Sequence, residues 1–184
     1  MKVIGTVGMP GSGKSVVSQI FRERLNSFYI VMGDVIREEV MKEGLEPTPD
    51  NVRRIMLTIR EREGNDIVAR RCIEKLKEND EKYEWVIIEG LRGLEELFTF
   101  RKHLSNFFLV AIHASPYIRF NRLKTRARSD APKNREMFDK RDLTELKVGI
   151  GSVIALADHI LANEGTKDDL RGKIDTFLKD VFIR

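Results

Sequence analysis

The most specific chemistry in the chain lies in Gly8-Met9-Pro10-Gly11-Ser12-Gly13-Lys14-Ser15, which fits the pattern G-x-x-x-x-G-K-[ST]. Glycines let backbone N–H groups turn inward on a β-phosphate, and the helix that follows adds its positive end. Lys14 can then reach the β- and γ-phosphates, while the Ser15 hydroxyl can meet Mg²⁺. The pattern predicts a P-loop that takes ATP with magnesium. Further along, Gly33-Asp34-Val35-Ile36-Arg37 sets a carboxylate and a guanidinium one helical turn apart. Arg37 suits an anionic acceptor, and Asp34 suits helix capping, orientation of the site or general-base work. Glu89 follows Val86-Ile87-Ile88, at the place where a strand-end carboxylate orients magnesium through water. Gly90 and Arg92 come directly after it. Arg92 beside Arg37 would make a bidentate clamp for an acceptor phosphate; paired with Glu95 or Glu96 it would be an ordinary surface arginine.

Residues 117–147 hold ten Lys and Arg against five acidic side chains, which makes this the most anion-facing part of a chain of formal charge +4. Arg119, Arg122 and Arg126 share a helical face, and Arg128 lies just beyond. The spacing suits a lid that closes over a nucleotide and sets arginines on the phosphoryl group in transfer; a solvated surface helix is the plainer alternative. His103, His113 and His159 show no metal-ligand spacing. The single Cys72 cannot form an intramolecular disulfide and reads as a filler of a buried edge.

Parallel strands with helical crossovers position these groups. Residues 2–7 are β-branched and apolar and run into the Gly-rich turn, as a buried parallel strand does. A helix follows to Leu25, then a strand over 28–31. Asp34 is expected to cap a helix through Lys42, and Gly44 to stop it. A long helical pattern from Asn51 to Lys77 is expected to break at Gly64-Asn65. Strands are predicted over 84–88, 107–113 and 158–161. One helix from Pro116 should carry the basic segment, and a last helix should span 168–181. This alternation predicts an α/β fold: a five-stranded parallel sheet with helices on both faces, in one domain of 184 residues. Ligands bind such sheets outside the carboxyl ends of the strands. No apolar run reaches bilayer length, so a cytoplasmic protein without membrane contact is expected.

Together these features resemble the nucleoside-monophosphate kinase group of P-loop proteins, in particular adenylate kinase and its archaeal adenylate-kinase-related relatives. The resemblance implies a three-layer P-loop fold, with 34–78 as acceptor-binding helices and 117–147 as the lid. It implies ATP and Mg²⁺ as cofactors and a small nucleotide acceptor, AMP above others. Gly33-Asp34-x-x-Arg37 looks like the segment lining the AMP site, which makes Arg37 an AMP-phosphate ligand. Glu89-Gly90-Leu91-Arg92 is similar to the family's Asp-Gly-Phe-Pro-Arg, with Glu for Asp, no proline and the arginine one residue early. The tail Ala157 to Gly165 looks more like dephospho-coenzyme A kinase, which would set Asn163 and Gly165 near the ATP adenine and make Asp34 a base for a hydroxyl acceptor. A regulatory ATPase that binds RNA or protein through its basic face is the remaining reading.

Overall fold

The computed structural model describes residues 1–78, 82–125 and 131–183, with residues 182 and 183 described by backbone alone. In chain order the elements are β1 (Lys2–Val7), α1 (Lys14–Arg24), β2 (Ser27–Val31), α2 (Met32–Lys42), α3 (Pro49–Glu63), α4 (Ile67–Lys77) and β3 (Trp85–Glu89). They continue with α5 (Leu94–His103), β4 (Phe107–His113), α6 (Pro116–Thr125), α7 (Arg135–Val148), α8 (Ile150–Ala155), β5 (His159–Ala162) and α9 (Lys167–Ile183). The five strands form one parallel sheet in the order β2-β3-β1-β4-β5.

Strand alternation explains why both faces are covered, since successive side chains point to opposite sides. Val3, Val7, Val86, Ile88, Leu109 and Ala111 pack with α2 to α5 and α8 on one face. Their neighbours Ile4, Trp85, Ile87, Val110 and Ile112 pack with α1 and α9 on the other. In the three central strands β1, β3 and β4 neither half faces water, so they read as continuous apolar runs, whereas the edge strand β5 leaves Ile160 exposed. Cys72 lies fully buried in the first of these clusters, and burial pushes its thiol up to about 12, where it is an inert filler.

Three expectations about elements need correction. The second helix starts at Met32 rather than at Asp34, and Asp34 caps nothing: it sits in the first turn, with its carboxylate paired to Arg37. The basic segment is not one helix. Its described part forms α6 and α7, and α7 is capped by the Asn134 side chain, which accepts from Met137 N–H at 2.9 Å. The last strand begins one residue later than expected, at His159; Asp158 before it donates its N–H to the Leu109 carbonyl at 2.9 Å and accepts from Leu109 N–H through its carboxylate at 2.8 Å. The break between α3 and α4 does fall at Gly64, whose φ of 100° is reached readily by glycine.

Candidate active site

The carboxyl ends of β1, β2 and β3 open into a cleft of about 460 Å³. The P-loop forms its floor. Gly13 caps α1 at φ 97°, and a Cβ there would stand 2.3 Å from Asn163 Nδ2. At Gly8 a Cβ would meet the Ile112 carbonyl at 2.4 Å. Glycine is thus required at both for conformation or close approach. Gly8, Pro10, Gly11, Lys14 and Ser15 line the cleft, whereas Met9 packs back on the core and Ser12 is buried.

Asn163, beyond the end of β5, donates from Nδ2 to the Ser12 carbonyl at 2.8 Å. Arg122 on α6 donates to the Asn163 carbonyl at 3.0 Å and to Oδ1 at 3.3 Å. Both residues therefore brace the back of the P-loop. Gly165 lies in a separate open groove against α9, not in the cleft. Arg119 departs from the expected lid face. It is buried, chelates the Asp142 carboxylate with Nη1 and Nη2 at 2.8 and 2.5 Å, and donates to the Pro10 carbonyl at 3.2 Å. Arg126 and Arg128 lie outside the described residues.

Lys14 donates through Nζ to the Gly8 carbonyl and, at 3.4 Å, to that of Met9. Burial, and then the Arg92 cation, bring its ammonium down to about 8 against the pull of Glu89 and Glu145. Across the cleft floor Ser15 Oγ donates to Glu89 Oε1 at 2.7 Å, and the Tyr29 hydroxyl donates to Glu89 Oε2. A hydroxyl and a carboxylate side by side next to a P-loop lysine form a hard oxygen donor set that fits Mg²⁺ carried by phosphates. Burial, and then the bond to Glu89, push the Tyr29 phenol well above its usual value, so it acts as a donor.

The far wall carries the cations. Gly33, Arg37, Gly90 and Arg92 line it. Asp34 does not; it is 58% exposed and bound to Arg37. The Arg92 guanidinium reaches Glu145 on α7 at 3.5 Å rather than Glu95 or Glu96, while its backbone N–H donates to Glu96 Oε2 at 2.9 Å. Arg60, Arg141, Glu96 and Glu145 also line the cleft and escaped the sequence reading, and so did Tyr29, which is not a lining residue but bonds to Glu89. Arg60 had a signal: Val52, Met56 and Arg60 recur every four residues along α3, so an arginine continues an apolar stripe. It donates to Glu96 Oε1 at 2.9 Å, and Glu96 is nearly fully buried. Glu145 and Tyr29 gave no such signal, because only the tertiary fold brings Glu145 to Arg92 and Tyr29 to Glu89.

Comparison with known proteins gives the same frame. The chain is 44% identical to UPF0200 protein MJ1399 of Methanocaldococcus jannaschii over 98% of this chain and 91% of that protein. It is 43% identical to a UPF0200 protein of Hyperthermus butylicus over 96% and 92% of the two. Among solved structures, the crystal structure of TT1252 from Thermus thermophilus superposes with a TM-score of 0.68 at 20% identity, covering 97% of each chain. A shikimate kinase from Acinetobacter baumannii, in complex with shikimate, superposes at 0.59 and 18% identity over 98% of this chain and 94% of that one. These structural likenesses are a matter of fold. Residues 7–139 match the AAA domain family, and by its relatives along nearly the whole length the chain belongs to the UPF0200 family.

Proposed function

We propose that the protein is an ATP-dependent nucleotide kinase that moves the γ-phosphoryl group of ATP to a nucleoside monophosphate, AMP before others. The observation that carries this reading is the opposition, within one cleft, of Lys14 and the Ser15–Glu89 pair to Arg37 and Arg92. An anionic acceptor needs cations to approach the γ-phosphate, and a hydroxyl acceptor needs a base. This wall offers guanidiniums; its carboxylates Glu96 and Glu145 are paired to Arg60 and Arg92, and Asp34 is not among its lining residues.

In this mechanism Lys14 exchanges the loop carbonyls for β- and γ-phosphate oxygens and neutralises charge on them. Ser15 would hold Mg²⁺, with Glu89 orienting its water, and the ion would supply further charge neutralisation. Arg37, Arg92 and Arg60 hold the acceptor phosphate in line. One of its oxygens forms a bond to the γ-phosphorus as the bond from that phosphorus to the β–γ bridging oxygen breaks, and ADP leaves. The α2 to α4 region within 34–78 binds the acceptor, and 117–147 acts as lid, with Arg126 and Arg128 as its candidate arginines. Arg122 supports the floor through Asn163.

The test incubates the protein with ATP, Mg²⁺ and a panel of nucleoside monophosphates, dephospho-coenzyme A and shikimate, and follows the products. ADP made from AMP well above the rate of ATP hydrolysis supports the proposal. Transfer to a hydroxyl acceptor instead would establish the hydroxyl kinase. Hydrolysis without transfer, with RNA retained at low salt and released steeply as salt rises, would establish the regulatory ATPase.

A further inference from the structure

Glu89 is a longer side chain than the aspartate of the segment it resembles, and it has one more torsion to fix. A carboxylate that must hold a metal-bound water in one place gains from losing that freedom before the metal arrives. The structure engages both of its oxygens, each with a separate hydroxyl: Ser15 Oγ at Oε1 and the Tyr29 phenol at Oε2. The two donors differ in kind. Ser15 belongs to the P-loop end of α1 and is itself a metal ligand in the reading above. Tyr29 belongs to β2, whose ladder with β3 sets Tyr29 opposite Ile87 and Val31 opposite Glu89. Its ring packs against the cluster under α1 and α9, and the Arg22 guanidinium lies 4.7 Å from the ring centroid.

We infer that Tyr29 is the positioning residue that keeps Glu89 aimed at the metal site. This rests on the reading of the cleft as a Mg·ATP site. A phenol carried by β2, the strand laddered to the β3 strand that bears Glu89, shares the sheet frame of the carboxylate it binds, so it holds Glu89 Oε2 while Ser15 adjusts to the metal.

The experiment measures ATP binding by calorimetry with Mg²⁺ titrated against EDTA, alongside melting temperatures. In Tyr29→Phe the Mg²⁺ concentration for half-maximal tightening of ATP is expected to rise roughly tenfold, the scale of one hydrogen bond to a charged group. ATP affinity in EDTA should stay at the wild-type value. In a Glu89→Ala background the same Tyr29→Phe change should add nothing, because the effect passes through Glu89. An unchanged Mg²⁺ response in Tyr29→Phe, or an equal shift in the Glu89→Ala background, overturns the inference while leaving the site reading intact. A wild-type protein whose ATP affinity ignores Mg²⁺ overturns both. Should Tyr29→Phe fail to fold, Glu89→Asp, which shortens the reach to the phenol by one methylene, carries the test: the same rise is expected, and a wild-type response overturns the inference.

Discussion

Burial beside Arg92 holds the Lys14 ammonium at about 8, so over pH 8 to roughly 10.4 the folded protein releases a proton that the unfolded chain keeps. A cation with a lowered folded value destabilises the fold below that window, and this cost fades as pH rises through it. Stability of the nucleotide-free protein should therefore gain with pH above 8 relative to Lys14→Met, as denaturant melts at several pH values would show. ATP binding runs the other way. Its phosphates require the ammonium, so ATP affinity should fall above pH about 8 with proton uptake visible by calorimetry in two buffers, and Lys14→Met should abolish both. At the opposite wall, Arg37→Ala is expected to raise the KM for AMP by roughly tenfold to a hundredfold, from the loss of a charge-assisted contact, with the KM for ATP unchanged in initial-rate assays. At this scale the sequence was legible where local pattern encodes role. Lys14, Ser15, Glu89, Arg37 and Arg92 all meet in the cleft, because strand ends and loop spacing decide their place. Tyr29, Glu96 and Glu145 were not legible, since their roles come from neighbours 60, 36 and 53 residues away, at Glu89, Arg60 and Arg92.

Among the elements, the P-loop is held from behind by two distant parts of the chain. Asn163 braces Ser12, and Arg119 ties Pro10 to α7 through Asp142. Asp142→Ala would leave a buried guanidinium without its anion, and a loss of about 3 kcal/mol or more is expected in denaturant melts. Gly13→Ala would force a methyl group against Asn163 at a left-handed φ, so nucleotide binding should be lost even where the fold survives, as calorimetry and circular dichroism together would tell. Helix boundaries set by glycine and proline, such as the α3–α4 break, could be read from local chemistry. The start of α2 could not: β2 passes straight into it at Met32, whose side chain is buried, and core packing outweighs the capping preference of Asp34. The same holds for Arg119, whose helical spacing matched Arg122 while its depth in the fold makes it a brace.

For the whole molecule, the apolar runs of β1, β3 and β4 foretold a sheet covered on both faces, and alternation divides their side chains between two cores. Strand order was beyond reach, because it depends on which crossovers pass which way. Among the described residues no helix is long and apolar enough to cross a membrane. ATP with Mg²⁺ at about 100 Kd should stabilise the fold by about 2.7 kcal/mol, a rise of roughly 5–10 °C in melting temperature for a chain of this size, readable by differential scanning fluorimetry.

The brace on Ser12 also has a temporal meaning. The P-loop is synthesised well before its brace, since Asn163 follows Ser12 by 151 positions. A nascent chain that lacks β5 has the phosphate-binding motif but not the support behind it. Competence for nucleotide thus arrives only once Asn163 has been made, and a chain truncated before it would carry the full motif without the ability to use it.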